Sequence, residues 1–296
     1  MKYPNSKDNA IRTSIGDFPL PKRLKLRGGK LLARLFPRRA AKIDRNPFDQ
    51  ALGRLDRLIR NGLYARAFET GDFRRLRHFL SHYWTTEARR FHQGWSHRFE
   101  EMFLKHDVEV IAHLEELMDG DAKGVRFSCL YEIGCGGGQV LDYLRQRLKK
   151  IPSFVGIDIG EDQIASNEET YDDPSISFRA ADAVKWLPQN ASQNCIMLTN
   201  GGVLEYFLKE EVELIFSHVA TLAPAAIALI ETIGSNHDLE NQPSSYVYAR
   251  ELAFSHNYPE LLRNAGFEIL HQSERAGNVS DGGGRWLRIL AWKPNP

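Results

Sequence analysis

The chain has 296 residues, 42% apolar and 26% charged, the balance of a soluble globular protein able to hold one large domain or two small ones. No run of about 18 apolar residues occurs, which excludes a membrane-spanning helix. The net charge of +1 conceals a segregation: Lys22 to Arg45 holds ten basic residues against one acid, Asp44, so this segment carries +9 and the rest of the chain −8. The three cysteines, Cys129, Cys135 and Cys195, form no C-x-x-C pair and no zinc-ligand spacing, and an odd count without a signal peptide points to a reducing cytoplasm.

In chain order, Met1 to Pro21 is polar with little periodicity and reads as poorly ordered. From Leu24 to Phe36, apolar residues (Leu24, Leu26, Leu31, Leu32, Leu35, Phe36) interleave with basic ones. Gly28-Gly29 weakens any continuous helix, leaving Lys30 to Phe36 for two amphipathic turns before Pro37. Residues 1–45 therefore read as a disordered or basic amphipathic leader. Segregated charge of this kind marks an interaction segment. An anionic membrane surface, where roughly 1 kcal/mol per basic residue is available, fits it. Docking on the acidic body of the protein fits it equally, and nucleic acid ranks last because no aromatics are interleaved.

Asn46-Pro47 marks a boundary, and residues 46–122 carry helical signals. Ala51, Leu52, Leu55, Leu58 and Ile59 form one stripe, and Phe73, Leu76, Leu80, Tyr83 and Trp84 another, at helical spacing. The region is rich in aromatics and histidines, including Phe91, His92, Trp95, His97, Phe99 and Phe103. It suits a helical lid that packs on the following domain and lines a substrate cleft, with Tyr83, Trp84 and Trp95 closing over it. His78 and His82, at i and i+4, lack a visible third metal ligand, so no metal is expected.

Residues 123–296 read as an α/β domain. Phe127 to Ile133 is a short buried strand, Gly134-Cys135-Gly136-Gly137-Gly138 turns the chain, and Val140, Leu141 and Leu144 begin a helix. Such a turn brings backbone N–H groups and a helix N-terminus close to a ligand. The third glycine of a dinucleotide fingerprint would fall at Gln139, and no Gly-Lys-Ser/Thr of a P-loop is present. Ser153 to Ile159 is a second strand ending in Asp158, about where a doubly wound unit places a ribose-binding carboxylate, roughly 20 residues after the glycines. A third strand precedes Phe178 to Ala183, and Asn194 to Thr199 is a fourth, ending at Asn200-Gly201-Gly202. Pro224 to Glu231 is a fifth, apolar up to its final Glu231, as a strand covered on both faces should be. A long connection, Gly234 to Asn257, leads to a helix from Asn257 to Gly266. Phe267 to His271 and Trp286 to Trp292 are the last strands, separated by polar residues and Asp281-Gly282-Gly283-Gly284. Alternating strands and helices imply a doubly wound, seven-stranded, mainly parallel sheet, with the last strand antiparallel and a helical lid N-terminal to it.

The run Glu132-Ile133-Gly134-Cys135-Gly136-Gly137-Gly138, with Asp158, Asp182-Ala183 and Asn200 following in order, resembles the class I S-adenosylmethionine-dependent methyltransferases over about Val125 to Lys293. The resemblance implies S-adenosyl-L-methionine as cofactor. Gly134, Gly136 and Gly138 would approach its methionine end, with Glu132 ordering the loop. Asp158, next to Ile159, would accept both ribose hydroxyls. Asp182 and the N–H of Ala183 would meet the adenine, and Asn200 would lie near the amino-acid end.

The acceptor is less legible. The Asp/Asn-Pro-Pro-Tyr of amino-nitrogen methylases is replaced by Asn200-Gly201-Gly202-Val203, which disfavours that class. Several small-molecule O-methyltransferases carry a catalytic histidine just beyond this point, where Glu205 stands here. Glu205 and His237 are the candidate bases, with His256 a rival. The expected reaction is O-methylation of a small or carbohydrate-like acceptor, lipid-linked glycans at the inner membrane face included. The alternatives are methylation of protein or RNA, or a non-catalytic scaffold that binds the cofactor.

Overall fold

The computed structural model describes residues 10–94, 97–120, 122, 124–249, 252–277 and 284–295; Trp95 and Asp281-Gly282-Gly283 lie outside them. Seven strands form the main sheet: β1 (Cys129–Ile133), β2 (Phe154–Asp158), β3 (Ile176–Ala180), β4 (Cys195–Asn200), β5 (Ala225–Ile233), β8 (Glu268–Ala276) and β9 (Arg285–Lys293). Their spatial order is β3-β2-β1-β4-β5-β9-β8. The first five are parallel, and β9 runs antiparallel to both of its neighbours, β5 and β8. The last strand of the chain is thus inserted inside the sheet, with β8 at the edge.

Period-two alternation divides the strand side chains between two cores. Leu130, Phe154, Ile196 and Ala228 face α5 (Glu109–Asp119), α6 (Gln139–Arg147) and α7 (Glu161–Thr170). Tyr131, Val155, Met197 and Leu229 face α8 (Ala183–Asn190), α9 (Lys209–Thr221) and α10 (Tyr258–Asn264). β1 is buried at all five positions, which is why its sequence shows no polar alternation.

The N-terminal part departs from expectation. α1 (Leu20–Leu35) runs without a break through Gly28-Gly29. Gly29 faces Gly62 of α3 (Arg54–Glu69), and a Cβ on Gly29 would stand 2.1 Å from the Leu58 carbonyl oxygen and 2.6 Å from the Gly62 nitrogen. The glycine therefore serves close helix packing rather than helix breaking. Pro37 opens α2 (Pro37–Arg45) instead of ending order. Residues 10–21, read as poorly ordered, are docked: Ile11 bridges Tyr248, the Arg12 N–H donates to the Val247 carbonyl at 2.8 Å, and Ile15 and Phe18 are buried.

α4 (Phe73–Gly94) follows α3, and a π-helical stretch, Phe99–Asp107, leads into α5. The long connection after β5 holds a hairpin absent from the sequence reading, β6 (Tyr246–Tyr248) paired with β7 (Ala253–Ser255). Among the described residues no helix is long and apolar enough to cross a membrane.

Candidate functional site

The carboxyl ends of β1, β2, β4 and β5 open into one cavity of about 670 Å³, at the sheet edge where open α/β folds bind ligands and within the ~300–1,000 Å³ range of small-molecule sites. Arg77, Ser81, Trp84 and Phe91 of α4, with Phe99, Met102 and Phe103 of the π-helical stretch, form its far wall. The N-terminal helices thus complete the site.

The glycine loop forms its floor and is tied down by hydrogen bonds with its neighbours. Gly134 has φ +69°, and a Cβ there would press into Val203 at 2.6 Å, so only glycine fits. The Gly134 N–H donates to the Ile157 carbonyl at 2.7 Å and the Gly136 N–H to Asp158 Oδ2 at 3.1 Å. Asn167 Nδ2 and Tyr171 Oη donate to the carbonyls of Gly136 and Gly137, at 2.7 and 2.9 Å.

Three carboxylates surround this loop. Asp158 Oδ1 also accepts from the Gly160 N–H at 2.9 Å. Each of its oxygens holds one backbone donor and keeps capacity for another. Glu132 is buried, its Oε2 has no hydrogen-bond partner, and burial followed by the charge of Asp158 pushes its carboxyl up. A buried acceptor left unpaired inside a cavity is costly unless a ligand donor meets it. Asp182 caps α8, accepting from the Val184 N–H at 3.1 Å, and lies 3.6 Å from Arg77 Nη2. Arg77 also donates to Glu211 Oε2 at 2.8 Å and stacks over Phe207, 4.6 Å from its centroid. One arginine therefore joins α4 to the starts of α8 and α9.

A second polar group lies at the end of β4. Glu205, on a 3₁₀ turn (Leu204–Tyr206), is 7% exposed and lines the cavity. Tyr248 Oη donates to its Oε2 and is itself 2.7 Å from Thr232 Oγ1. Behind it, Glu231 accepts from the Leu204 N–H at 3.0 Å. Burial, reinforced by the charge of Glu205, pushes the Glu231 carboxyl up to about 8, so near neutrality Glu231 adds no second negative charge beside Glu205.

Residues 130–224 match the methyltransferase-domain family. The chain carries a class I S-adenosylmethionine-dependent methyltransferase domain. S-adenosylmethionine is accordingly its cofactor. No curated protein matches the sequence of this methyltransferase. Among solved structures it is similar to magnesium protoporphyrin IX methyltransferase from Synechocystis PCC 6803 with bound SAH, at a TM-score of 0.51 and 16% identity, covering 74% of this chain and 99% of that one. The same protein with bound SAM gives a TM-score of 0.50 and 17% identity, covering 74% and 97%. A TehB-like SAM-dependent methyltransferase from Corynebacterium glutamicum gives 0.46 and 15%, covering 70% and 98%. At these identities the likeness establishes the fold.

The methyltransferase brings Glu132, Gly134, Gly136, Asp158, Ile159, Asp182, Ala183, Asn200 and Glu205 to the one cavity. Three expected residues fall elsewhere. Gly138, at φ +75°, starts α6, and a Cβ there would strike Tyr171 and Phe178 at 2.8 and 2.9 Å, so it packs behind the loop. His237 is fully buried outside the cavity lining, with Nδ1 2.7 Å from Ser255 Oγ and Nε2 3.1 Å from the Gln242 carbonyl. Both ring nitrogens are engaged, which removes it from the bases. His256 is held the same way, by Ser245 Oγ at 2.7 Å and the Phe207 carbonyl at 3.0 Å, and burial pushes its pKa down to about 4. The His78 and His82 rings meet edge to face at 4.5 Å, and among the described residues no three ligands converge on a metal position.

Arg77 and Tyr248 were not anticipated as site residues. The run Tyr246-Val247-Tyr248 carries a β-strand signal, but nothing local points Tyr248 at Glu205, which lies 43 residues away.

Proposed function

We propose that this methyltransferase O-methylates a small-molecule or carbohydrate-like acceptor, lipid-linked glycans included, with Glu205 as the general base. The observation that carries the reading is the buried Glu205 carboxylate in the same cavity as the glycine loop, held by Tyr248. The residues around the loop fit the cofactor's polar groups. Glu132 Oε2 suits the ammonium of the methionine end, with Asn200 nearby. Asp158 has capacity for the ribose hydroxyls, and Asp182 with the Ala183 N–H suits adenine. S-adenosylmethionine, when bound, supplies a methyl group on a sulfonium leaving group.

The chain then has two tasks, to align an acceptor oxygen and to take its proton. The aromatic wall of Trp84, Phe91 and Tyr206 holds the acceptor's apolar faces and excludes water. Glu205 removes the hydroxyl proton as the oxygen becomes bonded to carbon. Tyr248, donating to Glu205 Oε2, fixes the carboxylate so that its other oxygen is presented to the acceptor. Keeping Glu231 neutral below about pH 8 avoids repulsion that would displace Glu205. The proposal has the enzyme work in the cytoplasm, where the buried free thiols Cys129, Cys135 and Cys195 remain reduced.

The test is methyl transfer from labelled cofactor to fractionated extract, followed by Glu205→Gln on the acceptor found. Loss of about 10²–10⁴-fold in turnover, with cofactor affinity intact, is expected. Label recovered on protein or RNA, or a Glu205→Gln enzyme at full rate, overturns the proposal.

A further inference from the structure

α1 buries one face and exposes another that is not polar. Leu26 and Gly29 turn inward against α3. Leu20, Leu24, Leu31 and Leu35 are 56%, 60%, 58% and 62% exposed. At 100° per residue these four fall within one 60° sector of the helix. Phe36, 44% exposed, follows at the corner with α2. A surface helix ordinarily shows water its charged side; this one shows water a row of leucines about 22 Å long.

One flank of the stripe is basic. Arg27 and Arg34 lie beside it on α1, and Arg38, Lys42 and Arg45 continue along α2, all exposed. Nearby acids pair with other cations: Glu69 with Lys30, Asp56 with Arg39 and Asp44 with Arg75. The segment from Lys22 to Arg45 keeps its charge of +9 against −8 for the rest. Docking on the body and presenting a surface, alternatives in the sequence, thus both occur, on opposite faces of one helix.

We propose that α1 and α2 form a rigid platform that docks on an anionic lipid bilayer, with the leucine stripe in the headgroup–acyl boundary and the arginines on lipid phosphates. An apolar row bordered by cations is the signature of a helix lying in the plane of a membrane. A protein partner with an apolar groove would not require the basic border, and an acidic one would not require the leucines. The inference rests on the methyltransferase reading only in placing the enzyme at a membrane face, and its test does not involve the acceptor.

The experiment is co-sedimentation of the full chain with vesicles of phosphatidylcholine alone or with about one third phosphatidylserine. Binding is expected only to the anionic vesicles, falling at least about tenfold as salt rises from 0.1 to 0.5 M. The variant Leu24→Ser with Leu31→Ser alters only exposed side chains, and it should lose binding at low salt while keeping the wild-type melting temperature and cofactor affinity. Arg27→Gln with Arg34→Gln should weaken binding and flatten its salt dependence. Failure of the folded wild type to bind anionic vesicles overturns the proposal, as does unchanged binding by the leucine variant. So does a dimer that the leucine variant abolishes, which would give the stripe to a second copy. A Glu205→Gln enzyme at full rate with vesicle binding intact would count against the base assignment alone.

Discussion

Adjacent glycines in α1 give a matched test of how the N-terminal helices are assembled. Gly28→Ala places a methyl where nothing lies within 4 Å, so only the backbone term acts, and alanine in a helix interior gains about 0.5–1 kcal/mol over glycine. Gly29→Ala gains the same backbone term. Its methyl, however, would lie 2.1 Å from the Leu58 carbonyl oxygen and 2.6 Å from the Gly62 nitrogen. Both are helix backbone atoms and have no rotamer by which to move aside. The helices must separate by more than about 1 Å to restore contact distance, at an overpacking cost of about 1–3 kcal/mol or more. The clash therefore wins at Gly29 and the propensity wins at Gly28. Urea unfolding of the two variants should move in opposite directions from wild type, and hydrogen exchange should show α1 loosened only in Gly29→Ala. Equal shifts of the same sign would refute the close-packed glycine contact.

Other consequences are as direct. Asp158→Asn removes the charge that accepts the Gly136 and Gly160 N–H groups, and calorimetry should show cofactor binding weakened by about 1.5–3 kcal/mol. Arg77→Met cuts the tie from α4 to Glu211 and Asp182, so the acceptor KM should rise about fivefold, for roughly 1 kcal/mol of lost closure, with cofactor affinity little changed. His256, held neutral with a pKa near 4 against an ordinary 6.5, contributes stability present above pH 6.5 and lost as pH falls toward 4, because the unfolded chain takes up the proton first. The stability advantage of wild type over His256→Gln should therefore shrink by about 2 kcal/mol between pH 7 and pH 5 in chemical denaturation.

The sheet was legible because its signals are local. Glycines at Gly134 and Gly136, an acid at the end of β2 and apolar runs of strand length each occupy a few consecutive residues. The cavity lining around the loop followed from the same motifs. Interactions between distant segments were not legible. Gly29 reads as a helix breaker until Gly62 is placed against it, and Ile11 reads as part of a tail until Tyr248 is its neighbour. His237 and His256 look like chemistry in a sequence, since imidazole titrates near neutrality. In the fold each is a fully satisfied hydrogen-bonding strut, and only three-dimensional partners reveal that. Tyr248 shows the converse, an ordinary aromatic whose hydroxyl lands on the proposed base.

The place of β9 bears on how the protein is made. It pairs with β5 on one side and β8 on the other, so a nascent chain that has emerged only as far as residue 277 has two sheet edges and nothing to join them. Until Arg285–Lys293 leaves the ribosome, β5 presents a bare strand, apolar from Ala225 to Ile230, on which an unrelated chain could pair. The sheet closes by insertion rather than by addition at its rim, a step dominated by contacts distant in sequence and correspondingly slow. Synthesis must run nearly to residue 293 before the core is sealed, which makes the interval just before that point the one in which chaperones matter most to this chain.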